Sequence, residues 1–250
     1  MLVAAAVCPC PPLLVPEVAT GAAPELDAAR TACADAVGLL AAARPDRLYV
    51  VGPAPEGAHG VFPAGSAGSF AAFGVDLSVR LGEAPAGDRP ADGEPTGDVP
   101  GTDRPLPASL AVGAWLLGRA AWADAPIEGL GVDESATPDV CAGIGRGLAA
   151  SAERVALLVM GDGSACRTVK APGYLDERAE GFDAQAARAL GAADVAALLA
   201  LDPEAAYELK VAGRAPWQVL AGAAEEAGLD GRLLFEDAPY GVGYFVAAWS

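Results

Sequence analysis

The six-residue run Val155-Ala156-Leu157-Leu158-Val159-Met160 constrains this chain most: it carries no polar side chain and stops abruptly at Gly161-Asp162-Gly163-Ser164. A strand that is apolar at every position, not at alternate ones, needs both of its faces covered, as parallel strands between layers of helices are. The run therefore predicts an α/β chain with a central, mostly buried β-sheet flanked by helices. Met1–Val7 and Arg47–Val51 read as further strands, Val75–Val79 as strand-like, and Leu233–Phe235 and Val242–Trp249 as the closing pair. Helical spacing or helix-start signals mark Leu26–Ala43, Ser109–Trp122, Cys141–Ala150, Phe182–Leu190, Asp194–Ala200, Pro203–Ala212 and Pro216–Ala227. The alternation of strands with helices gives one α/β domain over residues 1–250.

Residues 82–105 differ in kind. Pro85, Pro90, Pro95, Pro100 and Pro105 recur at every fifth position among Gly, Asp and Glu, with Val99 the only large aliphatic side chain. Such a stretch cannot bury enough surface to order itself. Apolar elements that need each other lie on both sides, so it reads as a flexible insertion within the domain, with a boundary between two domains as the alternative.

Charge narrows the partners. The chain carries 33 acidic against 16 basic side chains, a formal net charge of −17, and Lys170 and Lys210 are its only lysines. No nucleic acid and no membrane surface is expected as a partner, because phosphate contacts need clustered Lys and Arg. No stretch of about 18 uninterrupted apolar residues offers a membrane span. Met1–Val7 lacks a basic flank, so a cytoplasmic protein is expected. Cys8, Cys10, Cys33, Cys141 and Cys166 form an odd, sparse set without zinc-ribbon spacing, and reduced thiols are expected.

Three loops with polar or thiol groups each follow a predicted strand: Cys8-Pro9-Cys10, Gly52–His59 and Gly161–Arg167. Open α/β sheets place ligand sites at such strand ends, although each loop alone also fits ordinary turn chemistry. Asp237, ahead of the last strand, would close the same crevice. His59 is the only histidine, which excludes any mechanism that needs two. A lone loop histidine equally fits a solvated surface residue, and Cys10, between two prolines, a small buried side chain. Ser164 lacks the G-x-S-x-G elbow, Gly161-Asp162-Gly163 is not a G-x-G-x-x-G fingerprint, and no Walker A motif occurs. Serine hydrolysis, NAD and ATP are unsupported.

Taken together, Cys10-Pro11-Pro12-Leu13-Leu14, Gly161–Ser164 with Gly181-Phe182-Asp183 downstream, and Asp237-Ala238-Pro239-Tyr240-Gly241-Val242-Gly243-Tyr244 resemble the class III extradiol ring-cleavage dioxygenases, catalytic-subunit type, over nearly the whole chain. The resemblance implies an α/β protein that holds one non-haem Fe(II) through two histidines and a carboxylate and cleaves a catechol beside its diol with both atoms of oxygen. Residue by residue, the pattern departs. Cys10 stands at the first ligand histidine. Gly52-Pro53-Ala54 occupy the region of the second, with His59 five residues beyond. Ala165 stands at the acid/base histidine, with Cys166 next to it. Asp237 stands for the usual Glu, with Glu236 adjacent as the alternative.

Neutral imidazoles hold Fe(II) while leaving positions open for substrate and oxygen. The resemblance therefore implies a degenerate Fe(II) site and not a standard dioxygenase. A rearranged site of Cys10, His59 and Asp237 would suit Zn or Cu better than iron. The pocket implied for this chain is lined by Asp162, Ser164, Arg167, Lys170, Tyr174 and Tyr240. Its Arg167 and Lys170 would favour an anionic aromatic ligand, unless they pair with Asp176, Glu177 or Glu180. Three functions stay open: an oxidoreductase with an altered metal site, a non-catalytic protein that binds or senses a small aromatic ligand, and a structural subunit of a homo-oligomer or of a complex whose partner subunit supplies the site.

Overall fold

A computed structural model describes residues 1–83 and 104–250; the Pro/Gly-rich insertion expected over 82–105 lies, from 84 to 103, outside the described residues. The strands are β1 (Leu2–Cys8), β2 (Arg47–Ala54), β3 (Gly60–Phe62), β4 (Ala67–Ser69), β5 (Ser78–Arg80), β6 (Ile127–Asp133), β7 (Val155–Met160), β8 (Gly231–Asp237) and β9 (Tyr244–Trp249). The helices are α1 (Pro16–Ala19), α2 (Asp27–Ala42), α3 (Ala108–Arg119), α4 (Pro138–Ala149), α5 (Arg178–Gly191), α6 (Val195–Leu199), α7 (Pro203–Glu208) and α8 (Arg214–Ala224). Seven strands form one mixed sheet in the order β3-β6-β2-β7-β1-β9-β8, and β4 pairs with β5 in a separate ribbon. Strands β6, β2, β7 and β1 run parallel; β3, β9 and β8 are antiparallel to their neighbours. This is a single α/β domain.

The apolar run becomes β7, near the middle of the sheet, and its two sets of alternate residues go to different cores. Val155, Leu157 and Val159 pack into one cluster with α4 to α8, while Ala156, Leu158 and Met160 pack into the other with α2 and α3. Every side chain of the strand is buried. A polar residue anywhere in the run would be buried without a partner, which is why none occurs.

Sequence periodicity did not mark β6 as a strand, and its two glycines explain both the omission and the strand. A methyl group at Gly129 would stand 3.2 Å from the Phe62 Cβ, and one at Gly131 would stand 2.9 Å from the Ala54 Cβ. The edge is packed so closely that the side chains which would have signalled a strand do not fit. Strand β2 likewise runs past its expected end at Val51. Pairing with β7 stops at Val51, and Gly52-Pro53-Ala54 continue against β6 alone. Ser109 of α3 sits over Gly52 and donates to the Pro53 carbonyl at 2.6 Å.

Helices α4 and α8 cross through small residues. A methyl group at Gly145 would collide with the Val219 carbonyl and come 2.6 Å from the Ala223 amide nitrogen, and one at Gly222 would meet the Ala142 backbone. Helix α7 ends earlier than expected because Lys210 turns the chain with φ 55°. Helix α8 starts earlier, with Pro216 in its first turn, where a missing N–H costs little. All five cysteines are free and buried. Among the described residues no helix is long and apolar enough to cross a membrane.

Candidate functional site

The connection out of β1 leads to α2 on one face of the sheet, and the connection out of β7 leads to α5 on the other. Adjacent parallel strand ends whose loops diverge leave a crevice between them. Here the Cys10 amide donates to Asp162 Oδ1 at 2.8 Å and ties the two loops together across it. Asp162 keeps part of its surface open, yet burial pushes its pKa up to about 7 against the lowering effect of the Cys10 amide and thiol. A carboxyl in that range exchanges its proton at neutral pH, so it can either donate or accept a hydrogen bond.

Two tyrosines face the same end of the sheet. Tyr244, the first residue of β9, is buried, and burial followed by the Asp162 charge holds its phenol well above the ordinary range. Tyr240 Oη is buried and has no hydrogen-bond partner among the described residues. Burial first, and the neighbouring Glu25 second, raise its pKa, although no hydrogen bond closes between the two.

Asp183 of α5 holds the loop after β7 from below. Its carboxylate is wholly buried and accepts from the Ser164 amide at 2.7 Å, the Ser164 hydroxyl at 2.8 Å and Arg167 at 3.2 Å. Burial raises its pKa, and the Ser164 and Arg167 bonds oppose the rise. Gly243 presses on the same group, since a methyl there would stand 2.6 Å from Asp183 Oδ2. The Ser164 hydroxyl is thus engaged in the core and is not a pocket group.

The structure does not gather the three expected metal ligands. Cys10 is 7% exposed and packs into the core on the α2 and α3 side, its thiol pKa raised first by burial and then by the Asp162 charge. His59 is exposed in the loop between β2 and β3, near Asp133. Asp237, exposed at the end of β8, lines a shallow cavity of about 440 Å³ with Glu236, Arg167 and Thr168. Among the described residues no group of three or more His, Cys, Asp or Glu side chains is placed to hold a metal ion. The expectation of a rearranged Cys10-His59-Asp237 site is corrected accordingly: this donor set does not fit a shared iron, zinc or copper ion.

The other expected residues divide. Ala165 and Cys166 are buried, and the Cys166 thiol donates to the Leu209 carbonyl at 3.5 Å. Arg167 pairs with Asp183 at 3.2 Å and more loosely with Glu180 at 3.9 Å, so Glu180 is the one of its three expected partners that it meets. Lys170 is exposed and makes no ion pair among the described residues, and Tyr174 is 65% exposed. Asp162 stays partly open at the strand ends, and Tyr240 lies beside Glu25. Sequence reasoning missed Glu134, which follows the unread strand β6, and gave no role to Tyr244 or Arg214.

No protein-family model matches the chain, and no curated protein matches it. Solved structures do. One is the crystal structure of an uncharacterized Escherichia coli K12 protein, JW3007, with a TM-score of 0.58 and 17% sequence identity over 99% of both chains. The likeness is one of fold.

Proposed function

We propose that this chain binds a small hydroxylated aromatic ligand on an extradiol-dioxygenase-like scaffold, without the iron chemistry of that family. The observation that carries this reading is the hydrogen bond from the Cys10 amide to Asp162, which spans the two diverging strand ends. Cys10 is the residue that stands at the first ligand position of the resemblance, and its side chain is buried with the thiol beside Asp162. What remains at these strand ends is a carboxyl with a pKa of about 7 and, in the loop before β9, the Tyr240 hydroxyl, buried beside Glu25 without a hydrogen-bond partner among the described residues. Those groups suit a neutral phenol: Asp162 accepts the phenolic proton or, protonated, donates to its oxygen, and Tyr240 supplies a second hydrogen bond.

The test is calorimetric titration of metal-free protein, kept in EDTA at neutral pH, with catechol. Saturable binding is expected, weakened roughly tenfold in Asp162→Asn, the range for losing a hydrogen bond to a chargeable group. No binding by the metal-free protein, or binding that appears only after Fe(II) is added, would overturn the reading.

A further inference from the structure

Arg214, the first residue of α8, is 2% exposed. Its guanidinium donates to the Glu134 and Ala136 carbonyls and, at 3.0 Å, to Gln218 Oε1. All three acceptors are neutral, and among the described residues no carboxylate lies within ion-pairing distance. An arginine stays protonated in a protein, and its guanidinium has about five N–H groups, more than these bonds use. The Glu134 and Asp133 carboxylates act on Arg214 only from beyond ion-pairing distance, and a buried charge without a close counter-charge is costly.

The same side chain lines a cavity of about 340 Å³ whose other walls include Glu134, Tyr207, Glu208, Lys210 and Val211. Lys210 is not a loose surface chain. It turns the backbone with φ 55°, and its Cδ would lie 3.0 Å from a methyl group at Gly173, so its stem is laid against that loop. Glu208 does not neutralise Lys210, because its carboxylate is bonded to Arg178 at 2.6 Å. Glu134 is open to solvent on one side; burial first and then the Asp133 charge raise its pKa, and the Arg214 charge opposes the rise. Tyr207, 86% exposed, offers an aromatic face at the mouth. The first turn of α8 has neither an acidic residue nor a side-chain cap, so the positive end of that helix adds to the same field.

We propose that this cavity is an anion site, in which Arg214 and Lys210 take the carboxylate or phosphate group of a small ligand. In a chain with a net charge of −17, long-range attraction cannot recruit an anion, so recognition has to come from groups at the site itself, here the buried Arg214 and the exposed Lys210 at the cavity's mouth. The inference stands on Arg214 and Lys210 and does not require the phenol-binding reading of the neighbouring crevice.

Two simple probes, benzoate and inorganic phosphate, test it separately by calorimetry and ligand-observed NMR on the full chain, with no phenol present. Binding of benzoate alone identifies a carboxylate site, and binding of phosphate alone a phosphate site. In either case Lys210→Glu, at an exposed position, is expected to weaken affinity roughly tenfold, and Arg214→Gln to abolish it. Should Arg214→Gln fail to fold, the Lys210 variant decides. No binding of either probe, or binding that Lys210→Glu leaves unchanged, overturns the proposal.

Discussion

Replacing Asp162 by Asn tests the electrostatics of the crevice. The ordinary value of this carboxyl is 3.8, and in the folded chain it is pushed up to about 7. A folded-state value above the unfolded one means that, between the two, the native protein holds a proton the unfolded chain has released. The resulting stabilisation is fully present below about 3.8 and is lost as pH rises through about 7. At about 1.4 kcal/mol for each tenfold change in proton affinity, the interval corresponds to roughly 4 kcal/mol at pH 8. Solvent at the open part of the carboxylate reduces this to about 2–3 kcal/mol. Asn cannot ionise and keeps an oxygen for the Cys10 amide. The variant should therefore be more stable than the parent by about 2–3 kcal/mol at pH 8 and nearly equal near pH 4. Urea unfolding of both proteins across this range measures the difference directly. Asp183, Glu134 and the surface carboxylates titrate in both proteins and cancel to first order. Curves that stay parallel from pH 4 to 8, or a variant that is less stable at pH 8, would refute the reasoning.

Asp183→Ala should cost about 3 kcal/mol or more in urea unfolding, because it strands the buried Ser164 amide and hydroxyl and leaves Arg167 without its nearer partner; a loss under about 1 kcal/mol would show that Asp183 does not hold the loop. Gly145→Ala gains about 1 kcal/mol of helix propensity but forces α4 off α8, where its methyl would lie 2.6 Å from the Ala223 amide. A net destabilisation of about 2 kcal/mol is expected, and a rise in melting temperature would contradict the close crossing. Asp237→Ala should leave the far-ultraviolet circular dichroism unchanged, since this carboxylate is exposed and, among the described residues, bonds only its neighbouring Ala238 amide; global unfolding would show a structural role.

The architecture was legible wherever burial left a pattern in the residues. Val155–Met160 announced a doubly covered strand because both of its faces are apolar. Strand β6 was illegible for the opposite reason: close approach to Phe62 and Ala54 requires glycines, and glycines carry no periodicity. Losing β6 also hid Glu134, which is recognisable as a strand-end residue only once the strand is known. Asp162 was legible as a strand-end residue because it directly follows a clear strand. The expected metal triad failed for a different reason. Sequence order placed Cys10, His59 and Asp237 near strand ends, but the fold decides what converges: Cys10 is buried beside Asp162, while His59 and Asp237 are exposed, one in the loop between β2 and β3 and the other at the end of β8. A buried arginine such as Arg214 looks the same in sequence as an exposed one. Its environment comes from loop 134–136 folding over the start of α8.

The central claim is that these strand ends form a site which works without a resident metal. Its most direct test is elemental analysis of protein incubated anaerobically with Fe(II), Zn(II) and Cu(II) in turn and then desalted. Retention well below one equivalent of each metal, with no change in Cys10→Ala, is the expected result. About one equivalent retained by the parent protein and lost in Cys10→Ala would establish a shared metal centre and contradict the account.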